Sequence, residues 1–584
     1  MAYTTEGIRN LALVGHAGSG KTTLAESLLL DAGVINEAGV VEKGSTVTDF
    51  DELEQKHHHS LTAAVASYDH DGTHINLIDT PGYPDFIGPT LSVLGAVETI
   101  AIVVNAQNGV ESSTRRMMEA VKQRNLCAMI VVNRIDAEDI DLEAVYAQIQ
   151  ESFGSECLAV NLPTSNGSDV VDCYFGTEGE SDMFSVEDAH TAIVDQTVEL
   201  DDDLMTAYLD QGEVAPEQLH DPFEQAMRER HVVPVCFVSS RTGAGVRALN
   251  EFICKMLPNP LEGNVPRFVK GNGDERETCD VVPDGSKPVL GHVFKISFDP
   301  FVGRQAVFRL YQGTIKKDAQ VFLGDSRKGL KIGNLSSCLG KKLSDSAAAI
   351  PGDIMLISKA EGFAYDAVMR DAHDDEHIQL EAAALPTPMV GISIAPKSRG
   401  DEQKIAEVLT KLTESDPCFR VERDPAANET VLRGMGDLHL RMAVERMSDQ
   451  YAVEVVTGVP TIPYRETIGK SAEGHSRHKK QTGGAGQFGE VYLRIEPLAR
   501  GEGFDFVNKI VGGVIPAQFI PAIEKGVQSV LQGGAVAGFP MQDIRVSVYD
   551  GKHHAVDSKE VAFVAAGRKA FLEAVSKAGP VVLE

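Results

Sequence analysis

Short apolar runs, each closed by a polar or glycine-rich turn, punctuate the first half of the chain. Residues 11–14 (LALV) form such a run, and after the turn Leu24, Leu28 and Leu29 return at helical spacing, which predicts a buried strand followed by an amphipathic helix. Strand-like runs recur at residues 74–78, 101–104, 128–132 and 232–238, and their order predicts an open α/β sheet. Residues 155–230 break the alternation. They are acidic and turn-rich, with Asp201, Asp202 and Asp203 in a row, and are expected to form an inserted subdomain. From 286 to 382 apolar and polar positions alternate around Gly and Asp turns, as in a small barrel. Asp374–Glu376 and the Leu385-Pro386-Thr387-Pro388 stretch mark a linker, because X-Pro pairs hold the chain extended. Beyond it a strand at 390–395, a helix at 402–412, strands at 418–433 and a helix at 437–449 predict a β-α-β-β-α-β unit. No internal repeat of about 20–50 residues is evident.

With 584 residues the chain exceeds one hydrophobic core, and about 150 residues per domain suggests roughly four modules. Apolar residues at 43% and charged residues at 24% are the composition of a globular chain rather than a disordered one. The formal net charge of −31 disfavours adhesion to nucleic acid or anionic membrane over the whole surface, so any RNA contact must be local. No two of the eight cysteines lie close enough for a C-x-x-C pair, which predicts small, reduced core residues. There is no uncharged apolar run of about 18 residues and no signal-peptide pattern at the start, so the expected compartment is the cytoplasm, with no membrane partner.

Candidate chemistry enters at the first turn. Gly15-His16-Ala17-Gly18-Ser19-Gly20-Lys21-Thr22-Thr23 fits G-x-x-x-x-G-K-[ST] between a predicted strand and helix. Glycines there let backbone N–H groups turn inward around a β-phosphate, lysine reaches β/γ oxygens, and the Thr22 hydroxyl can ligate Mg²⁺. The second predicted strand ends in Asp79-Thr80-Pro81-Gly82, placing a carboxylate at a strand's carboxyl end, where open α/β sheets bind ligands. Asp79 is expected to hold the metal through water, and the Gly82 N–H to bond a γ-phosphate and report its loss. A fourth strand ends in Asn133-Arg134-Ile135-Asp136. A carboxylate at Asp136 accepts the N1–H and 2-amino group of guanine, whereas adenine leaves such a site unpaired. Ser239-Ser240, closing the fifth strand, is expected at the guanine oxygen.

With these motifs in this order, the first 260 residues resemble a translational GTPase. Further along, Gly291–Gly303, Gly313-Thr314-Ile315 and Pro351-Gly352-Asp353-Ile354 look like the β-barrel second domain of elongation factor G. Gly434-Met435-Gly436-Asp437-Leu438-His439-Leu440 is similar to the G-M-G-E-L-H-L run of that family's third domain. Lys480–Gly489 and Gly551–Ser558 look like its fourth. The chain is therefore identified as a member of the elongation factor G family, in its elongation factor G-like branch. The resemblance implies a multidomain α/β architecture: a P-loop GTPase domain over 1–285 (insert about 155–230), a β-barrel domain over 286–382, then two α+β domains, ferredoxin-like over 386–465 and like ribosomal protein S5 over 466–584. The family's fifth domain is expected to be absent, as the chain stops at Gly579-Pro580-Val581-Val582-Leu583-Glu584.

The same resemblance implies GTP or GDP and Mg²⁺ as ligands, with Lys21, Gly82 and Tyr83 at the chemistry and Thr22, Ser60 and Asp79 (through water) at the metal. It implies a monomer that couples hydrolysis to ribosomal translocation of transfer and messenger RNA; the alternative is a GTP-gated regulatory, recycling or protection factor with weak hydrolysis. Three departures matter. Tyr83 stands where the family has a water-orienting histidine, and a phenol of pKa near 10 should slow hydrolysis. Arg134 replaces a lysine whose stem packs on the base. The segment from Glu54 to Thr62, with His57, His58 and His59, lies where the family has E-R-G-I-T-I, so that Ser60 takes the metal-binding hydroxyl. Consecutive residues of an extended chain face opposite ways, so three adjacent histidines do not chelate one ion easily, and a mobile switch loop is expected instead.

Charge is unevenly distributed. Residues 466–584 hold 14 Lys and Arg against 13 Asp and Glu, a net of +1, which leaves −32 for the rest. A near-neutral module with His475, Arg477, His478, Lys479 and Lys480 on an acidic body suits a localised RNA contact. The resemblance implies that ribosomal RNA and transfer RNA meet the loops around Gly483–Gln487 and His554.

Overall fold

The computed structural model describes residues 3–584 except 212–213, 215, 272–275, 325, 373–377, 382–384, 399, 425–428 and 482–485. The expected linker acids Asp374–Glu376 and the loop residues Gly483–Ala485 lie outside the described residues. The chain divides into two compact units, one running to Arg423 and resuming over Thr430–Val459, the other comprising Pro460–Glu584 with residues 424–429.

In the first unit, strands β1 (Ile8–Val14), β2 (Ala64–His70), β3 (Thr73–Asp79), β4 (Thr99–Asn105) and β5 (Cys127–Asn133) join Val233–Val238 and Cys157–Ala159 in one sheet. Its order is β2, β3, β1, β4, β5, Val233–Val238, Cys157–Ala159, with only β2 antiparallel to its neighbour. β4 and β5 are buried at every position, which is why their sequences run apolar without alternation. β1, β3, β4 and β5 each run two or three residues beyond their apolar stretches, β1, β4 and β5 taking in buried Asn10, Asn105 and Asn133, whereas the last strand starts one residue late, at Val233. The expected insert does not begin as a separate module. Its first strand, Cys157–Ala159, pairs with Val233–Val238 and closes the edge of the main sheet, and only then follow the hairpin Asn161–Thr164/Asp169–Asp172 and the helices Val186–Val198, Asp202–Gln211 and Pro216–Glu229.

The alternating stretch folds into antiparallel strands, chiefly Leu290–Asp299, Gly303–Gln312 and Ile354–Ser358, around Val293, Ile296, Phe308, Leu310, Met355 and Ile357. Leu335–Leu339 belongs to this group and also touches the first sheet, Leu339 pairing with Ala66 of β2. Buried Arg309 seals the junction, donating to Glu98 (2.5 Å), which also accepts from Asn10 (2.7 Å). Glu98 and the Gly352 carbonyl offset this buried charge by accepting from its two terminal nitrogens, while Nε has no partner among the described residues. Val390–Pro396, Glu402–Ser415, Arg420–Asp424, Glu429–Gly434, Asp437–Asp449 and Val455–Gly458 then form the predicted β-α-β-β-α-β unit, whose strands lie in the spatial order two, three, one, four.

The second unit is a four-stranded sheet, in the order Ala472–Lys480, Gln487–Pro497, Ile544–Lys552, Phe504–Asn508. Helices Ile520–Gly533 and Glu560–Lys577 cover one face through Ile523, Val527, Phe563 and Phe571, against Val491, Leu493, Val546 and Val548. Glu466 staples this unit internally. Its fully buried carboxylate accepts five backbone N–H groups, from Ala535 (2.7 Å), Val536 (2.9 Å), Ala537 (2.7 Å), Gly538 (2.9 Å) and Phe539 (3.1 Å). Burial alone raises the pKa of that carboxyl, but the converging amides outweigh it and hold the group below the usual carboxylate range.

Candidate functional site

Register brings the motifs to one edge. Leu13 lies opposite Asp79, Asn105 opposite Asn133, and Asn133 opposite Val238, so the turns leaving β1, β3, β5 and Val233–Val238 open side by side at the carboxyl ends of parallel strands. Helix α1 (Lys21–Asp31) starts at the motif lysine and aims its free N–H groups at the first turn. Gly20 enters it with φ of +90°, and a Cβ there would lie 2.4 Å from Asn133 Nδ2, so conformation and space both demand glycine.

Lys21 is buried, its Nζ donating to the carbonyls of Gly15 (3.0 Å) and His16 (2.9 Å). Burial lowers its pKa to about 8 against the pull of Asp79 and Asp49, leaving an ammonium that an arriving polyanion would stabilise. Gly82 closes the same space: a Cβ on it would stand 2.5 Å from Lys21 Nζ and 2.6 Å from Ala17 N. Its turn is braced by Thr80, whose hydroxyl donates to Leu13 O (2.7 Å), and by Thr90 donating to Pro81 O (3.1 Å).

Beside Lys21 an oxygen cluster assembles. Asp79 Oδ2 accepts from Thr22 Oγ1 (2.7 Å) and Thr48 Oγ1 (2.9 Å), and Ser60 Oγ lies 3.4 Å from Thr22 Oγ1. Asp49, also buried, bonds Ser60. Asp79 Oδ1 and Asp49 Oδ2 are buried with no hydrogen-bond partner among the described residues. Burial pushes both carboxyls up, each further raised by a nearby carboxylate, while hydroxyl bonds oppose the shift. Two crowded carboxylates with orphaned oxygens and two hydroxyls suit a hard divalent cation such as Mg²⁺, which takes oxygen donors and keeps several waters. Among the described residues no group of three His, Cys, Asp or Glu is placed to hold a metal, so a cation here depends on the hydroxyls.

The base-side loop is tied by Asn133, whose Nδ2 donates to Ser19 O (3.0 Å) while Oδ1 accepts from Arg134 N (2.8 Å) and Ser240 N (2.9 Å). The Ser240 amide, expected at a base oxygen, is thus bonded to Asn133. Asp136 Oδ1 accepts from Ser239 Oγ (2.6 Å), and Oδ2 from Arg241 Nε (3.0 Å) and Nη2 (2.5 Å). Burial alone would raise the Asp136 carboxyl; Ser239 and Arg241 outweigh it and hold the group low. Arg134 is exposed with φ of +68°. Ile135, by contrast, is a core residue, and the His16 ring is tied to Ser113 (2.8 Å). Gly18 is exposed, Ser19 Oγ is buried without a partner, and Thr23 is half-buried in the first turn of α1.

The segment holding the three histidines, expected as a loop, begins in a helix. Glu52–His57 forms helix α2, closed by a capping box of Asp51 and Glu54, so the first histidine lies in a helix rather than in extended chain. Buried Glu54 Oε1 then accepts from Leu61 N (2.9 Å) and Thr62 N (3.0 Å), which fixes the chain around Ser60. The three histidines part company. His57 bonds Glu445 (2.9 Å), His58 takes the left-handed cap position at φ of +56°, and His59 Nδ1 bonds the His57 carbonyl (2.9 Å). The His59 ring lies 4.9 Å from that of Tyr83, which is exposed, and 6.1 Å from that of Phe86.

Both this segment and the turn after Gly82 are anchored on the helix Asp437–Asp449. Lys56 pairs with Glu445 (2.5 Å) and Asp51 with Arg446 (3.0 Å), while Asp85 Oδ2 accepts from His439 N (3.2 Å) in that helix's first turn. Leu53, Leu61, Phe86 and Met442 bury an apolar patch between them. Thr48, Asp49, Glu54 and Arg241 were not legible as site residues. The first two stand just upstream of the segment that drew notice, and Arg241 directly follows the serine pair; proximity to a motif was the only available signal.

In the second unit, His554 lies on an exposed loop, its Nδ1 accepting from Val556 N (3.3 Å) and Asp557 N (3.2 Å). Gln487 sits opposite Lys480 at the sheet end, its Oε1 3.1 Å from His478 Nε2. Among the described residues no helix is long and apolar enough to cross a membrane.

Comparison with known families matches residues 6–259 to the elongation factor Tu GTP binding domain, 288–366 to elongation factor G domain 2, 385–459 to elongation factor G domain III and 460–579 to elongation factor G domain IV. An elongation factor G-like protein of Mycobacterium tuberculosis is 35% identical over 99% of this chain and 84% of its own length. One of Thermotoga maritima is 34% identical over 99% and 85%. A crystal structure of a Thermus thermophilus protein superposes with a TM-score of 0.82 at 35% identity, over 99% of this chain and 86% of that one.

Proposed function

Because this chain belongs to the elongation factor G-like family, we propose that it hydrolyses GTP on the ribosome and couples that step to translocation of transfer and messenger RNA. It is a translational GTPase of that family, with a GTP-binding domain followed by domains 2, III and IV. The finer assignment is supported by the convergence of Thr22, Ser60 and Asp79 beside Lys21 and Gly82, one turn away from Asn133 and Asp136.

In this mechanism Lys21 and the N–H groups of the Gly15–Gly20 turn hold the β- and γ-phosphates. Thr22 and Ser60 would hold Mg²⁺ directly and Asp79 through water; when bound, the ion neutralises phosphate charge. Asp136 accepts the guanine N1–H and 2-amino group once Arg241 gives way. Loss of the γ-phosphate releases the Ser60 and Gly82 segments, which are the segments that grip the helix Asp437–Asp449 through Lys56, Asp51 and Asp85. Domain IV then contacts ribosomal RNA and transfer RNA through the loops around Gly483–Gln487 and His554, and the protein acts as a cytoplasmic monomer. The test is phosphate release from GTP with and without ribosomes, and nucleotide competition. Release that ribosomes leave flat, or ATP competing as well as GTP, refutes the proposal.

One observation favours a second reading. Tyr83 occupies the place of the water-orienting histidine, so the chain would occupy the ribosome while GTP is bound and turn over slowly. Tyr83→His separates the two readings: if a low rate stays low, the phenol is not the limiting defect.

A further inference from the structure

Two features have no task in the proposed mechanism: the tyrosine at position 83 and the histidine run beside the switch hydroxyl. We propose that His59 supplies the imidazole that position 83 lacks, its Nε2 accepting a hydrogen bond from the water that attacks the γ-phosphate. This rests on the GTP hydrolysis proposed above and names the residue that orients its nucleophile.

Within the run, the three rings differ in what their nitrogens meet. His57 Nε2 is engaged by Glu445 (2.9 Å) and His58 is an exposed helix cap whose Nδ1 faces Val41 O (3.2 Å). His59 alone of the three keeps a buried ring nitrogen, Nε2, without a partner among the described residues. Its other nitrogen sits 2.9 Å from the His57 carbonyl, and a carbonyl only accepts, so Nδ1 carries the proton and Nε2 is left as the acceptor. A buried unpaired acceptor is costly, which favours a donor such as a water O–H there.

Position points the same way. His59 immediately precedes Ser60, whose hydroxyl lies 3.4 Å from Thr22 Oγ1, and its ring lies 4.9 Å from that of Tyr83, which immediately follows Gly82. Gly82 in turn abuts Lys21 Nζ and Ala17 N. The imidazole is therefore bracketed, along the chain and in space, by the groups assigned to the γ-phosphate. Leu61 N and Thr62 N, bonded to Glu54, hold the strand leaving it.

The step balances without a further reactant. The water oxygen bonds the γ-phosphorus as the bridging bond to the β-phosphate breaks, and GDP departs with that electron pair. One water proton stays on the attacking oxygen, in the hydrogen bond to Nε2; the other passes to a γ-phosphoryl oxygen, giving dihydrogen phosphate.

The experiment measures single-turnover phosphate release on ribosomes, and separately the equilibrium binding of a fluorescent non-hydrolysable GTP analogue, for the full chain and its H59F and H59Q variants. H59F keeps a ring against Tyr83 and Phe86 but removes the acceptor, and is expected to slow release about 100-fold with analogue affinity unchanged. H59Q, whose amide oxygen can accept from water, should recover about tenfold of that loss. An H59F rate equal to the unaltered chain's, or a loss of analogue affinity matching the loss of rate, overturns the inference while GTP hydrolysis stands. No turnover by the unaltered chain on ribosomes overturns both.

Discussion

Replacing Glu466 by glutamine isolates one buried carboxylate in the domain proposed to read RNA. Five N–H groups converge on it, two on Oε2 and three on Oε1. Glutamine substitutes an NH₂ donor for one oxygen, so even in its better orientation two amides face a donor. At about 1.5 kcal/mol for each lost bond to a charged group, the lower end of the usual range, the 535–539 loop loses about 3 kcal/mol of local stability. That corresponds to roughly two powers of ten in the local opening equilibrium. Hydrogen exchange followed by mass spectrometry, on peptides spanning 534–541 in the full chain, reads this directly as a lost protection factor. The sign with pH follows from the depressed pKa of the folded state. The carboxylate's contribution is complete above its unfolded value of about 4.3 and fades only as pH falls through the lower folded value, so protection in the unaltered chain should persist on mild acidification. If E466Q protects these amides to within about threefold of the unaltered chain, the two lost bonds carry no such energy and the reasoning is refuted.

At the nucleotide site, Gly82→Ala must push a methyl against Ala17 N and Lys21 Nζ. At about 1–3 kcal/mol for overpacking, ribosome-stimulated hydrolysis should fall about 5- to 150-fold, measured as phosphate release; an unchanged rate would show that this close approach is not needed. Arg241→Ala frees the Asp136 carboxylate from an exposed guanidinium (78% side-chain exposure). Since exposed pairs contribute about 0.2–1 kcal/mol, fluorescent GDP should bind up to about fivefold tighter; weaker binding would assign Arg241 to the base instead. Asp79→Asn should weaken Mg²⁺-dependent GTP affinity about 10- to 100-fold and leave affinity in EDTA little changed, read by nucleotide titration in both buffers; equal losses in both would remove Asp79 from the metal.

The parallel sheet was legible because its strands are buried on both faces, so apolar runs mark them without help from distant residues. The Gly20 turn was legible for a related reason: a left-handed backbone packed against Asn133 restricts residue type locally. The β-α-β-β-α-β unit followed from its two periodicities. Cys157–Ala159 was misplaced because three residues carry no period, and its membership of the main sheet depends on Val233–Val238, more than 70 residues away.

Local sequence determined which turns at the strand ends carry glycine, hydroxyl and carboxylate groups, since backbone conformation and donor type are properties of a few neighbouring residues. Only the tertiary structure decided how those residues are used. Glu54 looked like one more acid in a charged segment until folding buried it against Leu61 and Thr62. The three histidines looked equivalent until a helix end, a left-handed cap and the Tyr83 ring sent each to a different environment. Asp51 and Asp85 became a grip on a distant helix only because residues about 350 to 400 positions away were folded against them. The physical reason is that burial, and with it the cost of an unpaired charge or acceptor, is set by what packs around a group and is not encoded in its neighbours along the chain.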